Sequence, residues 1–306
     1  MKKKKKILVV LGGHSKERDI SLKTGLSCIN ALKKLNYKII KFDPKYTSLT
    51  ELKKRGADII FNALHGKGGE DGVIQSFFEY IGLPYTHSGP LSSMLAMNKY
   101  FSKKIFVKNK INTPKFFTYS YNLKHKDLIN KISKRLRFPV VVKPLNEGSS
   151  VNVYICNKKN VVKKLNAIKN YKKVMIEQFI GGREIQVAIM GGKKLGAIEL
   201  EPKRKFYDYQ AKYNTKAKTK HIIPVKLPKK EFDKLMSLTL KAHKLIRCRG
   251  VTRSDFKYYK GKFYLLEINT QPGMTKLSLV PEIAAYHGIS FIKLIELILK
   301  DASTKK

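Results

Sequence analysis

The segment VTRSDFKYYKGKFYLLEINT, residues 251–270, contains two apolar runs separated by Lys-Gly-Lys at 260–262. Two such runs on either side of a short glycine-containing turn predict a β-hairpin. Asp, Glu and Asn are uncommon inside strands. Nevertheless Asp255 lies in the first run, and Glu267 and Asn269 lie in the second. Three polar residues within apolar strands indicate a site rather than a plain structural hairpin.

The register of this hairpin decides what its polar residues can do. If three residues near 260–262 close the hairpin, Asp255 lies opposite Glu267 and Arg253 lies opposite Asn269, all on one face. A two-residue turn would place the pairs on opposite faces. In the first register, a divalent cation such as Mg²⁺ or Mn²⁺ that bridges nucleotide phosphates would relieve the repulsion between the two carboxylates. The alternative is a solvated face on which Arg253 simply pairs with Asp255.

The N-terminal third has an alternating pattern of strands and helices. This rhythm predicts a parallel sheet covered by helices on both faces. The predicted strands cover residues 6–11, 37–42 and 58–63, and the predicted helices cover 20–35 and 73–81.

Beyond Pro114 the pattern changes to a small α+β unit and then to longer strands. The predicted strands cover residues 116–119, 139–143, 151–155, 173–178, 184–190 and 193–200, and the predicted helices cover 124–136, 158–168, 228–246 and 290–300. The segment 202–221 between them is polar and has little to bury.

The composition limits the possible partners. The net charge of +42 attracts anions, but the lysines are spread along the whole chain rather than clustered with aromatic residues. This distribution favours a lysine-rich solvated surface over nucleic-acid binding. No apolar run approaches the roughly 20 residues of a membrane span. The three cysteines have no paired spacing. We therefore expect a cytoplasmic protein with no membrane or nucleic-acid partner.

Phosphate binding would have to use a loop other than the Walker type, because G-x-x-x-x-G-K-[ST] is absent from the sequence. Lys143 ends an apolar strand before the flexible loop Glu-Gly-Ser-Ser at 147–150, whose N–H groups can approach anions. Lys99 lies at the predicted domain junction. Each of these lysines, taken alone, is better interpreted as a surface charge, because the chain has so many lysines. The segment EQFIGGRE at 177–184 combines an apolar pair with two carboxylates, which suits an adenosine.

Seven segments, in order along nearly the whole chain, resemble the D-alanine–D-alanine ligase family of the ATP-grasp superfamily. They are GGHSKERDISL at 12–22, HGKGGEDG at 65–72, MNK at 97–99, VKP with EGSSV at 142–151, YDY with AKY at 207–213, RSD at 253–255, and LEINTQPGMT with SLVP at 266–281.

The resemblance implies an α/β and α+β chain, with an ATP-grasp fold preceded by a parallel-sheet, Rossmann-like N-terminal domain. The implied domains are residues 1–97, 98–180 and 181–306, with 202–221 as a lid over the nucleotide. It also implies that ATP phosphorylates one D-alanine carboxylate, that the amine of a second D-alanine attacks the acyl phosphate, and that phosphate leaves. Homodimer formation is expected by resemblance alone.

The resemblance further implies a role for individual residues. Asp255, Glu267 and Asn269 would hold two Mg²⁺ or Mn²⁺ ions. The implied nucleotide contacts are Lys99, Lys143 and Lys212 with the phosphates, Glu177 and Glu184 with the adenosine, and Phe179 and Ile180 around it. The implied D-alanine contacts are Glu17 and His65 for the first molecule, and Ser278 and Leu279 for the second. Arg253 and the Gly273 N–H would stabilise the oxyanion, and Glu17, Ser149 and Tyr213 would form a hydrogen-bonded triad.

Three rival functions follow from the same residues. A D-alanine–D-lactate ligase has the same fold, although Tyr213 resembles the dipeptide-forming members. Another ATP-grasp ligase would use a different amino acid or peptide. A cationic binding protein with an inactive site is the rival of another class, but every expected catalytic residue type is present.

Overall fold

The computed structural model describes residues 4–201, 219–275 and 277–304, whose β-strands form three sheets. The first sheet is parallel, in the order β2-β1-β3. Its strands are β1 (Lys6–Val10), β2 (Lys38–Phe42) and β3 (Ile59–Asn62), and the helices of this part of the chain are α1 (Arg18–Lys34), α2 (Val73–Ile81), α3 (Pro90–Met97) and α4 (Lys99–Lys108). The predicted alternation of strands and helices is confirmed.

The second sheet is antiparallel, in the order β4-β7-β5-β6. Its strands are β4 (Phe116–Tyr119), β5 (Val140–Pro144), β6 (Tyr154–Cys156) and β7 (Val174–Gln178), with helices α5 (His125–Arg135) and α6 (Val161–Asn166). Leu128 and Ile132 of α5 pack with Val140 and Val142 of β5 in a core of their own. The sheet therefore has one face covered by helices, and its other face is free to border a cleft.

The third sheet is antiparallel, in the order β10-β9-β8-β11-β12. Its strands are β8 (Arg183–Met190), β9 (Lys193–Glu201), β10 (Lys220–Ile222), β11 (Val251–Tyr259) and β12 (Lys262–Asn269), and the helices of this part of the chain are α7 (Lys229–Leu245), α8 (Leu279–Tyr286) and α9 (Phe291–Lys300). Short 3₁₀ turns occur at Leu49–Glu51, Lys53–Arg55 and Lys169–Tyr171. None of the described helices is long and apolar enough to cross a membrane.

The two faces of the third sheet have different neighbours. On one face, Val187 and Phe256 pack against Leu235 of α7. On the other face, Ala188 and Ile198 belong to a core shared with α8, α9, α1 and β1. Because side chains alternate along a strand, Gln186, Arg253 and Asp255 lie on this second face. The third sheet thus presents its polar residues toward the N-terminal unit, which consists of the first sheet and the helices around it.

Helices α3 and α4 were not predicted from the sequence, where this region reads as a domain junction. Pro90 at the first turn of α3 and Asn98 before α4 are their start signals. The Asn98 side chain accepts hydrogen bonds from the N–H groups of Tyr100 and Phe101. These helices place Lys99 in the wall of both clefts described below.

The predicted strand at 151–155 was wrong at its start. Ser149, Ser150 and Asn152 have φ values of 48°, 59° and 57°. Residues in this left-handed region cannot continue a pleated strand, so the strand begins only at Tyr154. The loop gains a sharp turn toward the N-terminal unit.

Candidate active site

The hairpin of β11 and β12 pairs Asp255 with Glu267 and Arg253 with Asn269, as predicted. The three-residue turn on which this pairing was expected to depend is, however, not the turn that forms. Tyr259 pairs with Lys262, so only Lys260 and Gly261 form the turn, with φ values of 48° and 71°.

A β-bulge places Asp255 and Glu267 on the same face of the hairpin despite the shorter turn. Phe256 pairs with Leu265, whereas the preceding Asp255 pairs with Glu267, so Leu266 is the extra residue of the bulge. A bulge shifts the register by one residue, which exchanges the two faces of the strand beyond it. The short turn and the bulge together bring the two carboxylates onto one face.

Both interpretations of Arg253 find support in its contacts. Its Nε and Nη2 atoms lie 2.8 and 3.1 Å from the two oxygens of Asp255, a bidentate pair. The same side chain lines a cleft together with Glu267 and Asn269. Lys99 Nζ lies 3.4 Å from Glu267 Oε2. The ion pair with Asp255 therefore exists beside the other polar groups of the site, not instead of them.

The donor set at the hairpin fits a divalent cation. Gln186 of β8 pairs with Asp255, so Gln186, Asp255 and Glu267 form a row across three strands. Both amide atoms of Gln186 are buried, and no described residue hydrogen-bonds to them. Within the described ranges no three His, Cys, Asp or Glu side chains converge on a metal position. A cation here would need the Asn269 amide oxygen and oxygens from a ligand or water, which is how Mg²⁺ is commonly bound.

The polar cleft, about 940 Å³ in volume, lies between the N-terminal unit and the third sheet. It is lined by seven of the predicted catalytic and D-alanine-binding residues: Glu17, His65, Ser149, Arg253, Gly273, Ser278 and Leu279. The Ser149 hydroxyl donates a short hydrogen bond to Glu17 Oε2. A Cβ on Gly148 would lie 2.6 Å from Glu17 Oε1, so a larger residue at this position would displace the Glu17 carboxylate.

His65 is held at both ring nitrogens and is buried. Nδ1 lies 2.6 Å from Glu70 Oε1, and Nε2 lies 3.0 Å from Thr24 Oγ1. Glu70 also lines the polar cleft, although sequence reasoning assigned it no role. The hydrogen bonds with Glu70 and Thr24 together fix the orientation of the His65 imidazole at the wall of the polar cleft.

The segment after β12 is connected to the N-terminal unit. Asn62 Nδ2 donates to Gln271 Oε1 at 2.8 Å, and Gln271 Nε2 donates to the carbonyl of Leu64. The Gln271 N–H in turn donates to Asn269 Oδ1 at 2.8 Å. Gln271 thus orients the Asn269 amide and anchors the start of the loop that carries Gly273.

The apolar cleft, about 720 Å³ in volume, lies between the second and third sheets. It is lined by six of the predicted nucleotide residues: Lys99, Lys143, Glu177, Phe179, Ile180 and Glu184. Lys143 Nζ donates to Glu177 Oε1 at 2.5 Å, and Lys257 lies 2.9 Å from Glu184. The two clefts share Lys99, Glu147 and Glu267 in their walls. They are therefore neighbours that meet beside Glu267 of the hairpin.

A second lysine contacts Glu177 on the side away from the apolar cleft. Lys103 of α4 lies 3.0 Å from Glu177 Oε2. Burial raises the pKa of Glu177, but the charges of Lys103 and Lys143 outweigh it and hold that pKa below its ordinary value. Lys103 and Gln186 were both missed in the sequence. The spacing of Lys99 and Lys103, four residues apart, would have indicated a shared helix face only if α4 had been predicted.

Two of the predicted residues, Lys212 and Tyr213, and most of the predicted lid lie outside the described residues. Of the segment 202–221, the structure describes only 219–221, where Lys220–Ile222 pairs with β9. The remaining predicted site residues line one of the two clefts.

Comparison with known proteins agrees with this architecture. Family models described as D-ala D-ala ligase N-terminus and D-ala D-ala ligase C-terminus match residues 44–88 and 105–300. The D-alanine–D-alanine ligase of Pelagibacter ubique is 59% identical over 302 residues, which cover 99% of each chain. This chain belongs to the D-alanine–D-alanine ligase family.

Two further members extend the comparison. The D-alanine–D-alanine ligase of Rickettsia typhi is 42% identical, over 98% of this chain and 92% of the relative. The crystal structure of the Bacillus anthracis ligase complexed with ATP is 32% identical, with a TM-score of 0.84 over 97% of each chain. The fold expected from the resemblance, an ATP-grasp fold preceded by a parallel-sheet domain, is therefore confirmed for this family member.

Proposed function

We propose that this chain joins two D-alanine molecules into D-alanyl-D-alanine, a peptidoglycan precursor, with ATP converted to ADP and phosphate. The observation that carries this proposal is the meeting of the two clefts at Lys99, Glu147 and Glu267. A nucleotide in the apolar cleft would direct its phosphates to that junction. An amino acid in the polar cleft would bring its carboxylate to the same place.

The first step is phosphoryl transfer to a carboxylate. Glu17 binds the ammonium group of the first D-alanine, which lies beside His65 and turns its carboxylate toward Arg253. A carboxylate oxygen attacks the γ-phosphorus, the bond to the β,γ-bridging oxygen breaks, and ADP leaves with that electron pair. Lys99 and Lys143 neutralise charge on the phosphates. Holding the two reactants close together and correctly oriented accounts for much of the rate enhancement.

The metal residues of this proposal are Asp255, Glu267 and Asn269. When Mg²⁺ or Mn²⁺ is bound there, it neutralises the phosphate charge that develops during transfer. The charge pattern of the chain's own residues supports this assignment, because two carboxylates face each other across the hairpin.

The second step forms the amide bond. The free amine of the second D-alanine, held near Ser278 and Leu279, attacks the acyl carbon. Arg253 and the Gly273 N–H stabilise the tetrahedral oxyanion. The intermediate then collapses, the bond from carbon to the phosphate oxygen breaks, and the nitrogen loses a proton. A Cβ on Gly273 would lie 3.0 Å from Ser278 Oγ, so glycine keeps this approach open.

Each of the three domains has its own role in the proposed reaction. Residues 1–97 bind the first D-alanine, 98–180 and 181–306 enclose the nucleotide, and 202–221, with Lys212 and Tyr213, close over it. A closing segment keeps water from the acyl phosphate. The support is that each of the three ranges contains one of the three sheets.

We further propose a cytoplasmic homodimer. Val73, Leu91 and Met94 are large apolar side chains exposed on α2 and α3. The Cβ position of Gly72 is 3.4 Å from Met94 Cβ, so the two helices are neighbours. Contact with a second copy would remove this surface from water.

The substrate choice is tested by measuring phosphate release with ATP and a panel of D- and L-amino acids. We expect release with D-alanine alone, and strong preference for D-alanine over D-lactate as the second substrate at neutral pH. Mass spectrometry should identify D-alanyl-D-alanine. Equal or greater activity with D-lactate would instead assign the D-alanine–D-lactate reaction, and activity only with another amino acid would assign a different ligase.

A further inference from the structure

Lys103 is fully buried, which is costly for a charged side chain. Its Nζ donates to Thr113 Oγ1 at 2.5 Å, lies 3.0 Å from Glu177 Oε2, and lies 5.6 Å from the centre of the Phe116 ring. Lys103 lines neither of the two clefts. Its contacts are therefore with the protein, and its effect on a ligand has to pass through Glu177.

The two oxygens of Glu177 have different partners. Oε1 accepts a hydrogen bond from Lys143, which lines the apolar cleft. Oε2 is buried on the side of Lys103, and no aligned hydrogen bond from a described residue reaches it. Lys143 can thus be drawn toward an entering nucleotide, whereas Lys103 is enclosed and cannot.

When Lys143 turns toward a nucleotide phosphate, Glu177 loses the hydrogen bond that Lys143 donates. Glu177 Oε1 then becomes a free acceptor at the wall of the apolar cleft. A buried carboxylate without a cation would take up a proton and become a donor. The charge of Lys103 prevents this, because it stays beside Oε2 throughout.

We propose that Lys103 is a positioning residue for nucleobase selection, which keeps Glu177 an ionised acceptor after Lys143 has moved to the nucleotide. The inference rests on the proposed ATP-dependent function. An acceptor-only carboxylate binds a purine with a 6-amino group and repels one with a 6-oxo group. Lys103 therefore favours ATP over inosine triphosphate or guanosine triphosphate.

The test is Lys103→Met, which keeps the length of the side chain and removes its charge. Steady-state kinetics with saturating D-alanine would be measured with ATP and with inosine triphosphate. We expect the KM for ATP to rise about tenfold while kcat stays within about twofold. The KM for inosine triphosphate should change less than about threefold, so the preference for ATP falls at least about threefold.

Lys104→Met is the matched control, since Lys104 is the next residue on the same helix and is exposed. It should leave both KM values unchanged. Lys103→Gln is the second variant if Lys103→Met does not fold, as judged by circular dichroism and thermal melting. An equal change for both nucleotides, or a loss of kcat alone, would overturn the proposal. Unfolding of both Lys103 variants would also overturn it, by showing a purely structural role.

The wild-type enzyme separates this inference from the proposed function. If the wild-type chain makes no D-alanyl-D-alanine from ATP, the function itself is wrong. If it is active and Lys103→Met retains the wild-type preference for ATP, only the role of Lys103 is wrong.

Discussion

At the residue scale, Glu267 has one neighbour of the same charge and one of opposite charge. Asp255 faces it across the hairpin, and Lys99 lies 3.4 Å away on the cleft side. Arg253 pairs with Asp255 and Lys99 pairs with Glu267, and the two carboxylates that face each other are also suitable ligands for a divalent ion. The polar residues in apolar strands predicted this cluster from sequence. Lys103 could not be predicted in the same way, because its partner Glu177 lies more than 70 residues away.

Glu267→Gln tests this residue directly. We expect dipeptide formation to fall by at least about 100-fold, or about 3 kcal/mol in activation free energy, because a neutral amide is a weaker metal ligand. The free energy of unfolding should change by less than about 1 kcal/mol, as usual for a partly exposed side chain. Mn²⁺ affinity in the presence of ADP, followed by electron paramagnetic resonance, should weaken.

Glu51→Gln is the control for this substitution, since Glu51 forms an ion pair with Lys54 on the surface of the N-terminal unit and lines neither cleft. It should leave turnover and Mn²⁺ affinity unchanged. Full turnover by Glu267→Gln would show that the metal assignment is wrong.

At the scale of elements, the hairpin combines a two-residue turn with a bulge at Leu266. Apolar patterning located both strands, Val251–Tyr259 and Lys262–Asn269, to within one residue. It could not reveal the bulge, because an extra residue in a strand leaves no mark on composition. The predicted pairing was right although the predicted turn length was wrong, since the bulge adds the residue that the turn lacks.

The turn itself can be tested through stability. Both Lys260 and Gly261 have positive φ, the conformation in which Asn-Gly is strongly preferred. Lys260→Asn should therefore raise the free energy of unfolding by about 0.5 kcal/mol, and Gly261→Ala should lower it by about 1 kcal/mol. Urea titration measures both. Destabilisation by Lys260→Asn would argue against the two-residue turn.

Helix α7 carries a buried histidine that makes stability depend on pH. Burial, assisted by the charge of Lys244, lowers the pKa of His243 to about 4. The unfolded chain, with an ordinary histidine pKa, binds more protons than the folded chain between about pH 4 and pH 6.5. The folded state therefore loses stability as pH falls through this window.

His243→Gln removes this titration while offering a side-chain amide to Thr252, the present partner of the ring at 2.8 Å. We expect the loss of unfolding free energy between pH 7 and pH 4.5 to be smaller in the variant by about 2 kcal/mol. Urea titrations at the two pH values measure the difference. The same acid sensitivity in both proteins would contradict the assignment.

At the scale of the whole molecule, function depends on residues from all three sheets meeting at one junction. Ser149 of the second unit binds Glu17 of the first, and Gln271 of the third binds Asn62 of the first. Periodicity predicted the strands of the sheets, and family resemblance predicted the residues that carry the proposed chemistry in the two clefts. The resemblance also predicted the contact between Glu17 and Ser149. The contact between Gln271 and Asn62 was not predicted, because it depends on how segments 209 residues apart fold against each other.

In the proposed reaction, the carboxylate of the first D-alanine is phosphorylated before the amide bond forms. D-alanine labelled with ¹⁸O in both carboxylate oxygens, followed by mass spectrometry of the released phosphate, tests this order of steps. We expect one ¹⁸O atom in each phosphate released, because the oxygen that attacks phosphorus leaves with it. Unlabelled phosphate, released together with D-alanyl-D-alanine, would contradict the acyl phosphate route.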